Sequence, residues 1–131
     1  MRSRLEPSGG SSPSTTTIPL TLHHVLKVTQ KEAVRFAFRQ AVFKRDGNKC
    51  VFCGCKEELD AHHITDRGEM PNGGYVKENG ITLCQAHHLD AERYHISHGK
   101  QWRQGMHPND LYKIIGSSRE QAYNASLKLR A

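Results

Sequence analysis

No run of apolar residues in this 131-residue chain approaches the roughly 18 that a membrane-spanning helix requires. The N-terminus has no hydrophobic block of the secretory kind: Met1-Arg2-Ser3-Arg4 leads, past Leu5, into Glu6-Pro7-Ser8-Gly9-Gly10. Without membrane segment or leader, the expected location is the cytoplasm. Internal repeats, a helix-turn-helix and an array of fingers are all missing, so no familiar sequence-reading module is expected. Acidic residues are outnumbered, 13 against 19 Lys and Arg, which gives a net charge of +6. A polyanionic partner follows, with nucleic acid the first choice and an anionic membrane surface the second. Apolar residues make up only 36%. So small a core would benefit from a metal staple, and it leaves no material for an enclosed apolar pocket around a small-molecule substrate.

Cysteine is also scarce, at four residues. In a reducing compartment these point to metal binding or catalysis rather than disulfides. Cys50-Val51-Phe52-Cys53 and Cys84-Gln85-Ala86-His87 are two pairs of ligands, each with a two-residue gap, separated by residues 54–83. A two-residue gap lets both side chains of a pair turn toward one ion, so Cys50, Cys53, Cys84 and His87 are expected to hold a structural Zn²⁺. The alternative is four unrelated buried residues. Cys55 fits one ion poorly beside Cys53 and reads as a small buried residue or a bystander thiol.

Residues 1–25, rich in Ser, Thr, Pro and Gly, read as a disordered tail, which leaves 26–131 as one domain. Thr29 and Glu32 form a capping box for a helix that stops at Asp46-Gly47, with Val34, Phe38, Ala41 and Val42 on its apolar face. Lys27, Lys31, Arg35 and Arg39 recur every four residues on another face, as a solvated surface or as a phosphate-contacting stripe. Residues 50–64 suggest a hairpin, with a knuckle at Cys50–Gly54 and a strand at Leu59–Ile64; 66–80 suggest loop, and Ile81-Thr82-Leu83 a strand. A helix from Gln85 would carry His88, Glu92 and His95 on one face. Two short helices follow, one from Pro108 to Gly116 and one from a capping box at Ser117–Glu120. Tyr94 and Trp102 read as packing residues.

Nine histidines are present, four of them in the doublets His62-His63 and His87-His88. With His87 given to zinc, His62, His63 and His88 remain beside the knuckle. The stretches Phe43–Gly54, Leu59–Ile64 and Asn79–His88 together resemble the HNH endonuclease motif, with His63, Asn79 and His88 at its signature positions in order. The resemblance covers a core of residues 43–96. It implies an α+β, ββα-metal (His-Me finger) core with a structural zinc knuckle, here preceded by a basic helix and followed by short C-terminal helices.

By that resemblance the chain is a metal-dependent DNA endonuclease that hydrolyses phosphodiester bonds to 5′-phosphate and 3′-hydroxyl ends. His63 would be the general base and Asn79 would hold the loop and orient His63. His62 and His88 would bind a catalytic divalent metal. Many relatives have Cys at the position of His87. Where relatives often place a third ligand, one helical turn on, this chain has Glu92, whose carboxylate favours Mg²⁺ or Mn²⁺, while the imidazoles also accept Zn²⁺ or Ni²⁺. His95 is a weaker candidate, and His98 and His107 read as surface residues. Arg67 is either a bidentate phosphate contact or a solvated loop arginine. The partner implied is double-stranded DNA, met as a monomer or weak dimer, and phage-encoded members of the family bring a terminase or other DNA-processing proteins into view. The competing reading is a catalytically silent zinc-knuckle DNA-binding module, which would have no use for a general base.

Overall fold

The computed structural model describes residues 29–129, so the expectations for residues 1–25 and for Lys27 lie outside the described residues. The chain divides into residues 1–32 and 33–131. Of the first unit only Thr29–Glu32 is described. There the Thr29 hydroxyl accepts the Glu32 N–H and the Glu32 carboxylate accepts the Thr29 N–H, both at 3.0 Å, a reciprocal cap on the start of a helix. That helix, α1, spans Gln30–Arg45.

Phe38 and Val42 are the buried residues of α1. They meet the sheet at Gly80, where a Cβ would stand 2.5 Å from Val42 Cγ2 and 2.7 Å from Phe38 Cε1. Only glycine permits that approach. α1 stops where Gly47 (φ 76°) and Asn48 (φ 57°) enter the left-handed region, as the Asp46-Gly47 signal predicts. Its last residue then reaches across: Arg45 donates to the Lys77 and Gly80 carbonyls, both at 2.6 Å. Asp46 accepts the Thr82 N–H at 2.9 Å.

β1 (Leu59–His63) and β2 (Gly80–Cys84) pair antiparallel, with His63 opposite Gly80 and Leu59 opposite Cys84. The expected hairpin at 50–64 does not form. Residues 50–55 close instead into a turn, with Cys50 N–H bonded to the Cys55 carbonyl, and Val51 N–H goes to Thr82 on β2. The partner of β1 is β2 because β1 needs a mate that also covers Ile64, and β2 supplies Ile81 and Leu83, both fully buried. The intervening 66–80 stretch is loop as expected, tightened by short 3-10 turns at Arg67–Glu69, Pro71–Gly74 and Lys77–Asn79.

Helix α2 (Gln85–Ile96) leaves β2 without a linker. Beyond it, α3 (Pro108–Ile114) is capped by His107, whose Nδ1 accepts the Asn109 N–H at 3.1 Å; the residue expected at the surface is a helix cap. α4 spans Arg119–Leu127 and its cap is Ser118, one residue after the expected Ser117. Ser117 is drawn away because its hydroxyl donates to the Glu78 carbonyl at 2.9 Å. Asn72 then donates to the Ser126 and Leu129 carbonyls, fastening the end of α4 to the loop. The architecture is α+β: a two-stranded sheet with α2 in the ββα order, a basic helix before it and two short helices after it. Among the described residues no helix is long and apolar enough to cross a membrane.

Candidate functional site

Consecutive residues on a strand point to opposite faces, and consecutive residues on a helix diverge by about 100°. The doublets His62-His63 and His87-His88 are divided by these rules. On β1, His62 turns toward α2 and meets the rings of His88 and His95 at 5.1 and 5.3 Å, while His63 turns toward α1 and stacks on Phe38 at 4.6 Å. On α2, His87 joins the cysteines and His88 joins His62.

The first cluster is Cys50, Cys53, Cys84 and His87, whose ligand atoms all lie within 4.8 Å of one another. Cys53 Sγ is 3.8 Å from Cys84 Sγ, Cys50 Sγ 3.6 Å from His87 Nδ1, and Cys84 Sγ 3.2 Å from His87 Nδ1. Donors on a tetrahedron around a zinc-sized ion sit roughly 3.5–3.8 Å apart, so the cluster can hold a structural metal ion. Burial raises the Cys50 thiol, but backbone N–H groups of Cys84, Cys53 and Phe52 outweigh it and lower the pKa, as a thiolate ligand needs. The Phe52 ring stacks on His87 at 5.3 Å. Cys55 stays outside, exposed, with its sulfur accepting the Glu57 N–H at 3.5 Å. Of the two expected readings of Cys55, the buried one is corrected and the bystander thiol stays: the turn that points Cys50 and Cys53 inward turns Cys55 out.

The second cluster is His62, His88 and Glu92. Glu92 Oε2 stands 3.1 Å from His88 Nε2 and 3.4 Å from His62 Nδ1. Neighbouring ligands around an octahedral divalent cation at about 2.1 Å are roughly 3 Å apart, so the three donors fit one face of such a shell. His62 is 2% exposed, and its Nδ1 faces the Glu92 carboxylate at 3.4 Å without forming a well-aligned hydrogen bond to it. A buried nitrogen left open costs free energy unless something answers it, and a cation would. Burial lowers the His62 pKa. The imidazoles of His62 and His88 hold Glu92 well below the usual carboxylate range, and Glu92 in turn raises His88. On the far side of His88, Nδ1 lies 3.3 Å from Asp60, a carboxylate that the sequence reading passed over. Its signal was available, since Asp60 is two residues before His62 and shares its strand face. His95 does not join the ligands: its Nε2 is 3.0 Å from the His63 carbonyl, and it stacks under His62.

His63 completes the arrangement. Burial, then the neighbouring His62 and Arg67, lower its pKa to about 4, so the ring is neutral near pH 7. Its Nε2 is buried without a partner. The Asn79 amide does not touch His63. Oδ1 accepts Thr65 N–H at 2.9 Å and the Tyr112 hydroxyl at 2.7 Å, and Nδ2 donates to the Thr65 and Gly74 carbonyls at 3.1 and 3.2 Å. Asn79 thus holds the loop on both sides and reaches His63 only through the backbone, including the Ile64 N–H to Asn79 carbonyl bond of 2.9 Å. The Asn79 amide thus holds the loop without touching His63, because burial commits its bonds to Thr65, Gly74 and Tyr112.

His62, His63, His88 and Glu92 line one open cleft of about 410 Å³, walled also by Arg35, Arg39 and Arg67. Arg39 is partly spent on Asp60 at 3.4 Å. Arg67 donates to the Tyr75 hydroxyl at 2.9 Å, and Arg35 lies over the Tyr75 ring at 5.6 Å. Lys31 is exposed, in the unit 1–32. Tyr75 had no signal in the sequence, being one aromatic in a loop.

Residues 50–97 match the family model described as HNH endonuclease. This segment is similar to the HNH endonuclease family, and the match contains both clusters, His63 and Asn79. No curated protein and no solved structure matches the chain.

Proposed function

We propose that this protein is a metal-dependent DNA endonuclease in which His63 is the general base. The observation that carries the reading is the shared cleft: a neutral imidazole, three converging metal donors and a wall of arginines open onto one space. A phosphodiester strand, and double-stranded DNA in particular, is the substrate such a positive, open cleft favours. His62, His88 and Glu92 would hold one divalent cation, Mg²⁺ or Mn²⁺ by the carboxylate, with Zn²⁺ or Ni²⁺ accepted by the imidazoles. When bound, that cation supplies charge stabilisation at the scissile phosphate and the leaving 3′ oxygen.

The chain's own residues do the rest. His63 takes the proton of the attacking water; Nε2 is enclosed, so Nδ1 is the nitrogen that meets it. Arg67 and Arg35 hold phosphate oxygens, Asn79 keeps the His63 loop in place, and Lys31 and Arg39 add positive charge along the duplex. Cys50, Cys53, Cys84 and His87 hold a structural Zn²⁺. The domain is taken as residues 26–131, following a tail of residues 1–25.

The test is nicking of supercoiled plasmid with Mg²⁺ or Mn²⁺, comparing the native chain with His63→Ala. A competent base contributes roughly 10²–10⁴-fold, and the variant should lose that much while still binding Mn²⁺. Plasmid left intact by the native chain with every divalent metal would instead support a silent zinc-knuckle binding module.

A further inference from the structure

Resting on the reading of His63 as base and Arg67 as a phosphate contact, we propose that Tyr75 is the positioning residue for both. Its ring sets the plane of the imidazole, and its hydroxyl sets the guanidinium against the phosphodiester backbone.

The ring half of the argument is steric. A histidine ring turns easily about its last torsion, whose preference is broad. Here it is walled on two sides: Phe38 stacks on His63 at 4.6 Å and 26°, and Tyr75 meets it edge-on at 4.8 Å and 89°. Phe38 and Tyr75 brace each other at 5.7 Å and 90°. The backbone supports Tyr75 from beneath. Gly73 (φ +82°) passes so close that a Cβ there would lie 2.7 Å from the Tyr75 ring.

The hydroxyl half is electrostatic. Arg67 is an exposed residue on a 3-10 turn, and its guanidinium donates to the Tyr75 hydroxyl at 2.9 Å. Arg35 from α1 sits over the same ring at 5.6 Å. A phenol and a π face hold two guanidiniums without cancelling their charge, whereas the carboxylate of Asp60 partly cancels that of Arg39. Tyr75 therefore keeps two cations oriented and available for phosphate oxygens, beside the base, in the same cleft.

Two variants of the full, metal-loaded chain separate the halves. Tyr75→Phe keeps the ring and loses the tether. It should raise KM for plasmid by roughly five- to tenfold, the scale of one charge-assisted hydrogen bond, and lower kcat less than it raises KM. Tyr75→Leu should lower kcat by about a further tenfold, as a misaligned base would. Affinity of the zinc-loaded protein for a fluorescein-labelled duplex, without added Mg²⁺ or Mn²⁺, gives a readout independent of cleavage. Tyr75→Phe, Arg67→Ala and the double variant should form a non-additive cycle, the double binding no more weakly than Arg67→Ala. In protein that keeps its structural zinc but is given no Mg²⁺ or Mn²⁺, the ¹H–¹⁵N imidazole shifts of His63 should move in Tyr75→Leu and stay in Tyr75→Phe. Additive losses in the cycle overturn the tether, and unmoved His63 shifts in Tyr75→Leu overturn the wall. A native chain that cleaves nothing defeats the nuclease reading, while the duplex cycle and the shifts still decide Tyr75.

Discussion

Asp60 and His62 leave the same face of β1 two residues apart, and Asp60 and Glu92 bracket the two nitrogens of His88. Asp60 lies at 3.3 Å from His88 Nδ1, while Glu92, which also approaches His62, lies at 3.1 Å from His88 Nε2. A histidine whose one nitrogen is held by a carboxylate presents the other nitrogen's lone pair in a fixed direction. Asp60→Ala is therefore expected to weaken Mn²⁺ binding at the His62, His88 and Glu92 cluster by roughly 10–100-fold, read by calorimetric titration. Zinc content should not change, because Asp60 lies outside the cysteine cluster. At this scale much was legible. The doublets, the two CxxC-type pairs and the helical spacing from His88 to Glu92 are local patterns, fixed by strand and helix periodicity. Tyr75 was not legible, because nothing in the loop around it marks which side chain will reach Arg67 and His63.

Among the elements, the turn carrying Asn79 is held from both ends of the chain. Arg45, at the end of α1, grips the carbonyls of Lys77 and Gly80 on either side of it. Tyr112, on α3, donates its hydroxyl to Asn79 Oδ1 and lies 2.6 Å from Thr65 Oγ1. Both lie outside the matched segment 50–97, so the flanking helices complete the loop that the family segment contains. Tyr112→Phe removes the hydroxyl from a buried network and leaves Thr65 Oγ1 without that partner. It should cost about 1–3 kcal/mol in denaturant unfolding. If the loop positions His63, kcat should fall in the same variant under conditions where it is fully folded. The sequence announced the helices through their caps and apolar faces. It misplaced the partner of β1 and moved the last cap to Ser117, since both were decided by contacts distant in sequence.

Across the whole molecule, two clusters of different chemistry share one small sheet and one helix. Three sulfurs and an imidazole form one; two imidazoles and a carboxylate form the other. Soft thiolates select zinc strongly, so the two sites should separate on metal removal. A strong chelator should lower the melting temperature and unfold the knuckle, followed by circular dichroism and zinc release. Zn²⁺ should restore the fold, whereas Mg²⁺ should not.

Short spacings in the sequence by themselves determined which ligand pairs could form, because a two-residue gap or one helical turn constrains side chains whatever the rest of the chain does. The excess of basic residues likewise determined the sign of the surface. Tertiary structure alone decided that His95 bonds a carbonyl and that Asn79 holds Thr65 and Gly74 rather than His63. It also decided that Arg45, Tyr112 and Tyr75 support the site. Those contacts join residues far apart in the chain, where no periodicity exists to be read, and only the packing of α1, the sheet and α3 brings them together.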